Sequence, residues 1–241
     1  MSELELVAHR GYARHFPENT LRSVAAAIEA GARAVEIDVQ LSRDRVPFLM
    51  HDRTLERMCG VEGALGQRLA VELELMHAAE REKFGAKFSD ERLASLASFA
   101  RLVAAAPGVH AFVELKRVSI EQFGADAVLD AVVPRLEPLR ERCTLISFDV
   151  EVLARARQKL GHRVGPVLIT WGQLATDEIA SLRPDVVFCD VEKLPASGVL
   201  RAPGDLAVYE VDDPSLAREL HRRGARYIET FAVGEMLRGL A

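Results

Sequence analysis

The sequence is poor in cysteine and in aromatic residues, and it has no excess of basic charge. Its three cysteines, Cys59, Cys143 and Cys189, lie far apart and form no CxxC pair, which argues against a disulfide framework or a zinc finger. We expect three reduced thiols, at least two of them in apolar strands. The 31 Lys and Arg residues are outnumbered by 36 Asp and Glu residues, so no nucleic-acid partner is expected.

Long apolar runs are also missing. The first residues are acidic and lead directly into a predicted strand, without the basic and apolar regions of a signal peptide. No run approaches the ~20 apolar residues that a membrane-spanning helix needs, so we expect no integral membrane segment and a cytoplasmic location. With 49% hydrophobic and 28% charged residues, the composition is that of a globular protein. A monomer and a homodimer are both compatible with it.

Short apolar runs alternate with longer stretches of helical period, a pattern typical of parallel βα units. The predicted strands are Leu4–His9, Ala34–Val39, Val46–Met50, Val109–Leu115, Cys143–Ser147, Val164–Ile169, Val186–Cys189, Leu206–Val211 and Tyr227–Glu229. The second and third are joined by a polar connection too short for a crossover helix, so we interpret them as a hairpin. Without the returning arm, eight βα strands remain, the number in a (β/α)8 TIM barrel of the α/β class.

Seven helices are predicted between and after these strands: Thr20–Ala30, Leu93–Ala106, Gly124–Arg135, Val150–Leu160, Ala175–Leu182, Pro214–Arg223 and Gly234–Leu240. Residues 53–92 do not fit the alternation, because they combine several glycines with mixed charge and weak periodicity. We interpret them as a small insertion near the barrel mouth, after the second barrel strand and its hairpin. Residues 1–241 are therefore predicted to form a single TIM-barrel domain.

Active sites of TIM barrels lie at the C-terminal ends of the strands, and polar residues cluster there in this sequence. Glu36 and Asp38 lie two apart on one strand, as do Glu114 and Lys116 on another, so each pair shares a face. The hairpin should bring His51 roughly opposite Glu36. Three converging carboxylates suit Mg²⁺ or Ca²⁺ better than a soft metal. We therefore predict a divalent-cation site formed by Glu36, Asp38 and Glu114.

The residues around this cation site suit a phosphodiester substrate. Arg10 and Lys116, together with the cation, would stabilise negative charge as phosphorus becomes five-coordinate. His9 and His51 can divide the proton work between them, since imidazole titrates near neutral pH. Phosphodiester hydrolysis is the reaction that uses all of these groups.

A structural alternative exists for the same charged residues. Glu36 and Asp38 could form a buried ion pair with Arg10 or Arg33, and Lys116 could belong to a structural ion network. The complete set, including two histidines at strand ends, favours catalysis.

The strand Cys143–Ser147 ends at the same face of the barrel. We expect Ser147 and Phe148 to line the pocket, with Phe148 as its apolar wall. Ser147 lacks a GxSxG context, so a serine-hydrolase triad is not expected.

The ordered motifs resemble those of the glycerophosphodiester phosphodiesterase family: His9-Arg10-Gly11, Pro17-Glu18-Asn19-Thr20, Glu36-x-Asp38-Val39, His51-Asp52 and Glu114-Leu115-Lys116. The resemblance covers essentially the whole chain, although the motifs are concentrated in its first half. It implies a TIM barrel that hydrolyses glycerophosphodiesters to glycerol 3-phosphate and an alcohol, often with Mg²⁺ or Ca²⁺. It also implies that residues 53–92 occupy the place of the family's insertion, which borders the substrate entrance.

The resemblance implies roles for single residues as well. His9 and His51 match the acid–base pair, and the metal ligands match Glu36, Asp38 and Glu114. Arg10 and Lys116 match the family's residues that contact the phosphate, and Glu18 and Asn19 match residues in the supporting loop.

The second half of the chain departs from the family pattern at two places. Tyr209 stands where members commonly have Trp at the end of a late strand, and Phe231 follows Thr230 where members tend to have Asp. A Tyr keeps a flat apolar face and adds a hydroxyl group. These differences concern the wall that contacts the glycerol or the alcohol, and hence the choice of substrate.

Two other functions stay open. A lysophospholipase D-type enzyme would need an apolar mouth, for which the insertion offers Leu65, Leu69, Leu73, Leu75, Met76, Phe84 and Phe88. The same residues suit the core of a small helical cap. A non-catalytic barrel that binds a phosphate metabolite would have no need of two titrating histidines. The choice of cation, the head group, the roles of the two histidines, and attack by water or by the substrate's own 2-hydroxyl are left open.

Overall fold

The computed structural model describes residues 3–241, and the sheet in this range has nine strands. They are β1 (Glu5–His9), β2 (Ala34–Leu41), β3 (Pro47–Leu49), β4 (His110–Leu115), β5 (Cys143–Ser147), β6 (Arg163–Leu168), β7 (Val186–Asp190), β8 (Asp205–Tyr209) and β9 (Tyr227–Thr230). Each lies where the sequence predicts a strand, because each is a short apolar run rich in branched or aromatic residues.

Eight of these strands are parallel and close into a barrel. They follow chain order around it, from β1 through β2 and β4 to β9, which pairs back to β1. β3 is antiparallel and pairs with Val39–Leu41, beyond the Ala34–Glu36 segment of β2 that pairs with β1. The predicted hairpin therefore accounts for the ninth strand, and the predicted TIM barrel is confirmed.

Helices surround the barrel and fill the insertion. Their bounds are α1 (Leu21–Glu29), α2 (Glu56–Cys59), α3 (Ala70–Leu73), α4 (Arg81–Phe84), α5 (Leu96–Ala104), α6 (Arg117–Phe123), α7 (Ala125–Leu136), α8 (Val150–Leu160), α9 (Asp177–Leu182), α10 (Pro214–Arg223) and α11 (Val233–Leu240). The seven predicted helices correspond to α1, α5 and α7–α11. Helix α6 was missed because it is short, carries the β-branched Val118 and Ile120, and has no side-chain cap at its start.

Two apolar layers hold the barrel together. A large cluster lies between the strands and the outer helices. A smaller one fills the barrel interior and consists of Val7, Ala34, Phe112, Ile146, Val167, Val186, Phe188, Ala207 and Tyr227. Because strand side chains alternate between the two faces, these interior residues show which positions of each strand point toward the barrel axis.

Residues 53–92 contain three short helices and have an apolar cluster of their own. Leu55, Met58, Leu65 and Leu73 pack there against Phe48 and its neighbours at the end of the hairpin. The segment is thereby fixed to β3 and to the loop that carries His51.

The three cysteines are free, and Cys143 and Cys189 lie buried in β5 and β7 as expected. Burial raises the pKa of the Cys143 thiol to about 12, which keeps it protonated and unreactive. Within residues 3–241, none of the helices has both the length and the apolar character required to cross a bilayer.

Candidate active site

The candidate site begins at the next inward-facing residue of each strand, immediately beyond the apolar interior of the barrel. Seven residues each follow a member of the interior cluster by two positions along the chain: His9, Glu36, Glu114, Phe148, Asp190, Tyr209 and Glu229. Because the period of a strand is two, these side chains also point toward the axis. They lie at the C-terminal ends of the strands, where the sequence predicts the site.

Glu36 and Glu114 of this layer lie close to Asp38, the next inward-facing residue of β2. Oxygen atoms of Glu36, Asp38 and Glu114 are all within 4.8 Å of one another, and all three residues are buried. Lys116 Nζ lies 3.1 Å from Asp38 Oδ1 and 2.9 Å from Glu114 Oε1, and Arg10 Nε lies 3.2 Å from Asp38 Oδ2. Part of the structural ion network expected as an alternative is thus present, through Asp38 and Lys116, whereas Glu36 accepts a hydrogen bond from the backbone N–H of Arg10 at 3.2 Å.

The two cations do not neutralise the cluster evenly. Burial alone would raise the pKa of the Asp38 carboxyl, but Lys116 and Arg10 hold it well below its usual range. The pKa of Glu36 is raised well above its usual value by burial and by the negative charge of Asp38. Burial and Asp38 also raise the pKa of Glu114. Three buried carboxyl groups thus share two basic groups, and Glu36 and Glu114 hold their protons more tightly than usual.

His9 lies deep in the pocket. Its ring stacks on Phe231 with a centroid distance of 4.6 Å and an interplanar angle of 6°. Nε2 lies 3.7 Å from Glu36 Oε2, and Nδ1 lies 3.3 Å from Glu210 Oε1. Burial, followed by the positive charge of Arg10, lowers the pKa of His9 well below its usual value, which favours the neutral form of the ring.

His51 follows the hairpin but does not lie opposite Glu36 as expected. Leu49 pairs with Val39, which places position 51 level with Ile37, past the paired end of β3. The hairpin register thus differs by one residue from the expected one, and β3 ends before it reaches His51. His51 nevertheless lines the same pocket as His9 and Glu36, and its Nδ1 lies 2.9 Å from Asp52 Oδ1.

The loop after β1 holds Asp38 and Arg10 in place. Asn19 Nδ2 donates to Asp38 Oδ2 at 2.8 Å, and the Asp38 N–H donates to Asn19 Oδ1 at 3.0 Å. The loop turns at Gly11, where φ is +81° and a Cβ would lie 2.3 Å from the Oγ of Ser23, so only glycine fits. Glu18 accepts a hydrogen bond from Arg10 at 3.1 Å. Glu18 and Asn19 thus support the site from behind, and neither lines the pocket.

Arg57 connects this loop to His51. Its guanidinium donates to Asp52 and Glu18 at 2.6 Å each and to Glu80 at 3.2 Å. Hydrogen bonds from His51 and Arg57 hold the pKa of Asp52 well below its usual range. Arg57 was not among the predicted site residues, because it follows His51-Asp52 in a segment without strand or helix periodicity.

The remaining predicted residues divide into two groups. The pocket is lined by Arg10, Lys116, Phe148 and Tyr209, as expected for groups that contact substrate. Ser147 is not in the pocket: it is buried, its Oγ donates to the carbonyl of Leu115 at 2.8 Å, and it accepts from the Asp149 N–H at 3.0 Å. The expectation that Ser147 lines the pocket is therefore wrong, because its position on β5 faces away from the axis.

Sequence reasoning missed Glu210 and Glu229, and it placed Phe231 in the substrate wall without predicting that its ring stacks on His9. Glu229 is 2% exposed, and its Oε1 has no hydrogen-bond partner within residues 3–241. Burial raises the pKa of Glu229 well above its usual value, although Arg10 opposes the shift. Spacing could have identified Glu229, because it stands two residues after the inward-facing Tyr227 on the same strand.

The carboxylate cluster fits a hard divalent cation. Glu36, Asp38, Glu114 and Glu229 are four buried carboxylates, whereas Arg10 and Lys116 are two cations. All of the candidate ligand atoms are oxygens, the type that Mg²⁺ and Ca²⁺ prefer. A bound dication would lower the raised pKa values of these buried carboxyl groups, because its charge stabilises the carboxylate form.

Comparisons with known proteins agree with this architecture. The model of the "Glycerophosphoryl diester phosphodiesterase family" matches residues 9–231. A glycerophosphodiester phosphodiesterase from Caldanaerobacter subterraneus subsp. tengcongensis is 37% identical over 91 residues, which are 38% of this chain and 37% of the relative. The matched segment thus spans little more than a third of that relative's length.

Solved structures share the fold over nearly the whole chain. An Oleispira antarctica phosphodiesterase in complex with the product sn-glycerol 3-phosphate has a TM-score of 0.83 and 21% identity, covering 98% of this chain and 96% of that one. A glycerophosphodiester phosphodiesterase from Agrobacterium tumefaciens has a TM-score of 0.79 and 23% identity, covering 98% and 99%. At these identities the similarity concerns the fold.

The contacts of Arg57 yield a prediction about stability. Changing Arg57→Lys removes the planar guanidinium that bridges three carboxylates, and leaves Glu18 and Glu80, which are 8% and 6% exposed, without an adequate partner. We expect the free energy of unfolding, measured by denaturant titration, to fall by about 1–3 kcal/mol.

Arg53→Lys is the matched control. Arg53 pairs with Glu121 at the surface, where the side chains are 69% and 50% exposed, so the same change should alter stability by less than about 0.5 kcal/mol. Equal losses in the two variants would show that Arg57 does not hold the site together.

Proposed function

Because this chain belongs to the glycerophosphoryl diester phosphodiesterase family, we propose that it hydrolyses glycerophosphodiesters to sn-glycerol 3-phosphate and an alcohol. The observation that carries the proposal is that His9, His51, Arg10 and Lys116 line one pocket together with Glu36 and Glu114. No group in this set is superfluous for cleaving a phosphodiester.

The two histidines move the protons. One imidazole takes a proton from the attacking hydroxyl group, and the other gives a proton to the departing alkoxide. His51 is oriented by the Asp52 carboxylate, whose Oδ1 lies 2.9 Å from its Nδ1. His9 is oriented by its stacking on Phe231 and is held neutral by burial. Both attack by water and attack by the 2-hydroxyl of the substrate use this pair.

Arg10 and Lys116 bind the phosphate. Each already contacts a carboxylate, and these contacts fix the positions of the guanidinium and the ammonium group. Groups fixed in this way can stabilise charge on the phosphoryl oxygens without reorganising during the reaction.

Glu36, Asp38 and Glu114 are the residues that would hold the divalent cation, Mg²⁺ or Ca²⁺. When bound, such a cation supplies Lewis-acid stabilisation of negative charge on the phosphate. Asn19 fixes Asp38 through two hydrogen bonds, which would orient this ligand for the cation.

The two alternative functions receive less support. Of the apolar residues that a lysophospholipid would need at the mouth, Leu65, Leu73 and Phe88 are buried, whereas Leu75 is 69% exposed. The cap thus uses three of these seven residues as buried core. A non-catalytic barrel leaves unexplained why two oriented histidines share one pocket. The small, polar diester is the substrate that we propose, and a cytoplasmic location, which fits it, stays a prediction.

Replacing the histidines tests the acid–base roles. We expect His9→Gln and His51→Ala each to lower kcat for release of glycerol 3-phosphate by roughly 10²–10⁴-fold, with the melting temperature of His51→Ala little changed because that side chain is 35% exposed. His15→Ala is the control, since His15 contacts Glu235 outside the pocket and should keep activity within about twofold. Full activity in either pocket variant would refute the assignment.

Cation binding can be measured without turnover. Protein stripped by a chelator should be stabilised against unfolding by Mg²⁺ or Ca²⁺, by about 2.7 kcal/mol when the cation is present at 100 times its Kd. Glu36→Gln should abolish most of this gain, whereas Glu62→Gln, at an exposed position of the insertion, should retain it. An undiminished gain in Glu36→Gln would exclude Glu36 as a ligand.

A further inference from the structure

The stacking of His9 on Phe231 fixes the plane of the imidazole but not the positions of its nitrogens. The ring centroids are 4.6 Å apart, and the ring planes are inclined by only 6°. A half-turn about the Cβ–Cγ bond would keep the stacked plane and exchange each ring nitrogen with a ring carbon. The orientation in which Nε2 faces the carboxylate cluster therefore depends on polar groups at the edge of the ring.

Two carboxylates stand at different edges of this ring. Glu36 Oε2 lies 3.7 Å from Nε2 of His9, and Glu210 Oε1 lies 3.3 Å from Nδ1. A neutral imidazole carries one proton, on either of its two nitrogens. A proton on Nε2 would occupy the nitrogen that points into the site, whereas a proton on Nδ1 leaves Nε2 free to accept one. The carboxylate that holds the ring proton therefore decides whether Nε2 is available.

Nδ1 is the ring nitrogen that lacks a hydrogen bond. The His9 side chain is 9% exposed, and within residues 3–241 its Nδ1 has no partner in hydrogen-bonding geometry. A buried polar atom without a partner costs free energy. Glu210 Oε1 is already 3.3 Å away, and the Glu210 side chain is 41% exposed, so it has room to rotate until it accepts the Nδ1–H.

The backbone that carries Glu210 is fixed beside the first and last strands of the barrel. Asp212, two residues further along, accepts hydrogen bonds from Thr230 Oγ1 at 2.5 Å and from Arg14 at 2.7 Å. The segment after β8 is thus held to the loop after β1 and to the end of β9. In the part of the chain that the structure describes, the only ion-pair contact of Glu210 is with the His9 ring.

We propose that Glu210 is a positioning residue for His9. Its carboxylate accepts the Nδ1–H, selects the ring orientation that directs Nε2 into the site, and leaves Nε2 as the atom that exchanges a proton during the reaction. Phe231 holds the plane of the ring, and Glu210 holds its rotation and its tautomer. The consequence for the reaction rests on the phosphodiesterase activity proposed above.

The isosteric change Glu210→Gln tests the positioning role. A carboxylate can only accept a hydrogen bond from Nδ1, whereas an amide can also donate one to it, which places the ring proton on Nε2. We expect kcat for release of glycerol 3-phosphate from glycerophosphocholine to fall roughly tenfold to 100-fold. KM should change by less than about twofold, because Glu210 acts on the ring and not on the bound diester. A raised KM with unchanged kcat would overturn the proposal.

Glu192→Gln is the matched control. Glu192 is exposed and shares a cleft with Glu210, but it is not among the residues that line the pocket around His9. The same charge is therefore removed from the same cleft, and both kcat and KM should stay within about twofold of the wild-type values. A loss of kcat equal to that of Glu210→Gln would show that net charge, and not contact with the ring, is responsible.

The tautomer of His9 can be read without turnover. Nitrogen NMR of the isotope-labelled full chain distinguishes a protonated ring nitrogen from an unprotonated one at about pH 8, where an ordinary imidazole is neutral. The His9 signals are identified by their absence in His9→Gln. We expect the proton on Nδ1 in the wild type and in Glu192→Gln, and a substantial fraction on Nε2 in Glu210→Gln. A wild-type proton on Nε2 would refute the positioning role.

This readout separates failure of the positioning role from failure of the proposed function. If the tautomer changes in Glu210→Gln but wild-type protein hydrolyses no diester, the contact with His9 stands and the proposed function fails. If the wild type is active and its tautomer is the same in Glu210→Gln, the function stands and the positioning role is overturned.

Discussion

The candidate site depends on the concentration of buried carboxylates near the axis at one end of the barrel. Glu36, Asp38, Glu114 and Glu229 are removed from water, where a carboxylate is stable only beside positive charge or hydrogen-bond donors. Arg10 and Lys116 supply part of this charge. Because these two basic groups are shared by four carboxyl groups, the cluster fits a divalent cation, and Asn19 holds Asp38 in place through two hydrogen bonds.

The period-two alternation of strands explains how much of this site the sequence could predict. Glu36, Asp38, Glu114 and Lys116 could be placed on one face because each pair stands on one strand, where side-chain direction follows from spacing. His51 was expected roughly opposite Glu36 but lies one position away, past the end of β3, whose last paired residue the spacing of the sequence does not reveal. Ser147 and Phe148 were both expected to line the pocket. Adjacent strand residues face opposite sides, so only Phe148 does.

Residues that act through tertiary contacts left a weaker trace in the sequence. Arg57 lies in the insertion, and its three carboxylate partners come from separate segments of the chain, so spacing alone could not connect them. Phe231 stacks on His9 only because the last strand ends beside the first in the closed barrel. Both residues reach the site through contacts between segments that are distant in the sequence, which spacing along one strand does not show.

The measurement that tests the account most directly is the release of glycerol 3-phosphate from glycerophosphocholine by protein from which divalent cations have been removed, before and after Mg²⁺ or Ca²⁺ is restored. The account predicts negligible release by the stripped protein and recovery when either Mg²⁺ or Ca²⁺ is added, because the carboxylate cluster and the histidine pair act on one phosphate. Undiminished release by the stripped protein, or no release by folded protein with cation bound, would contradict it.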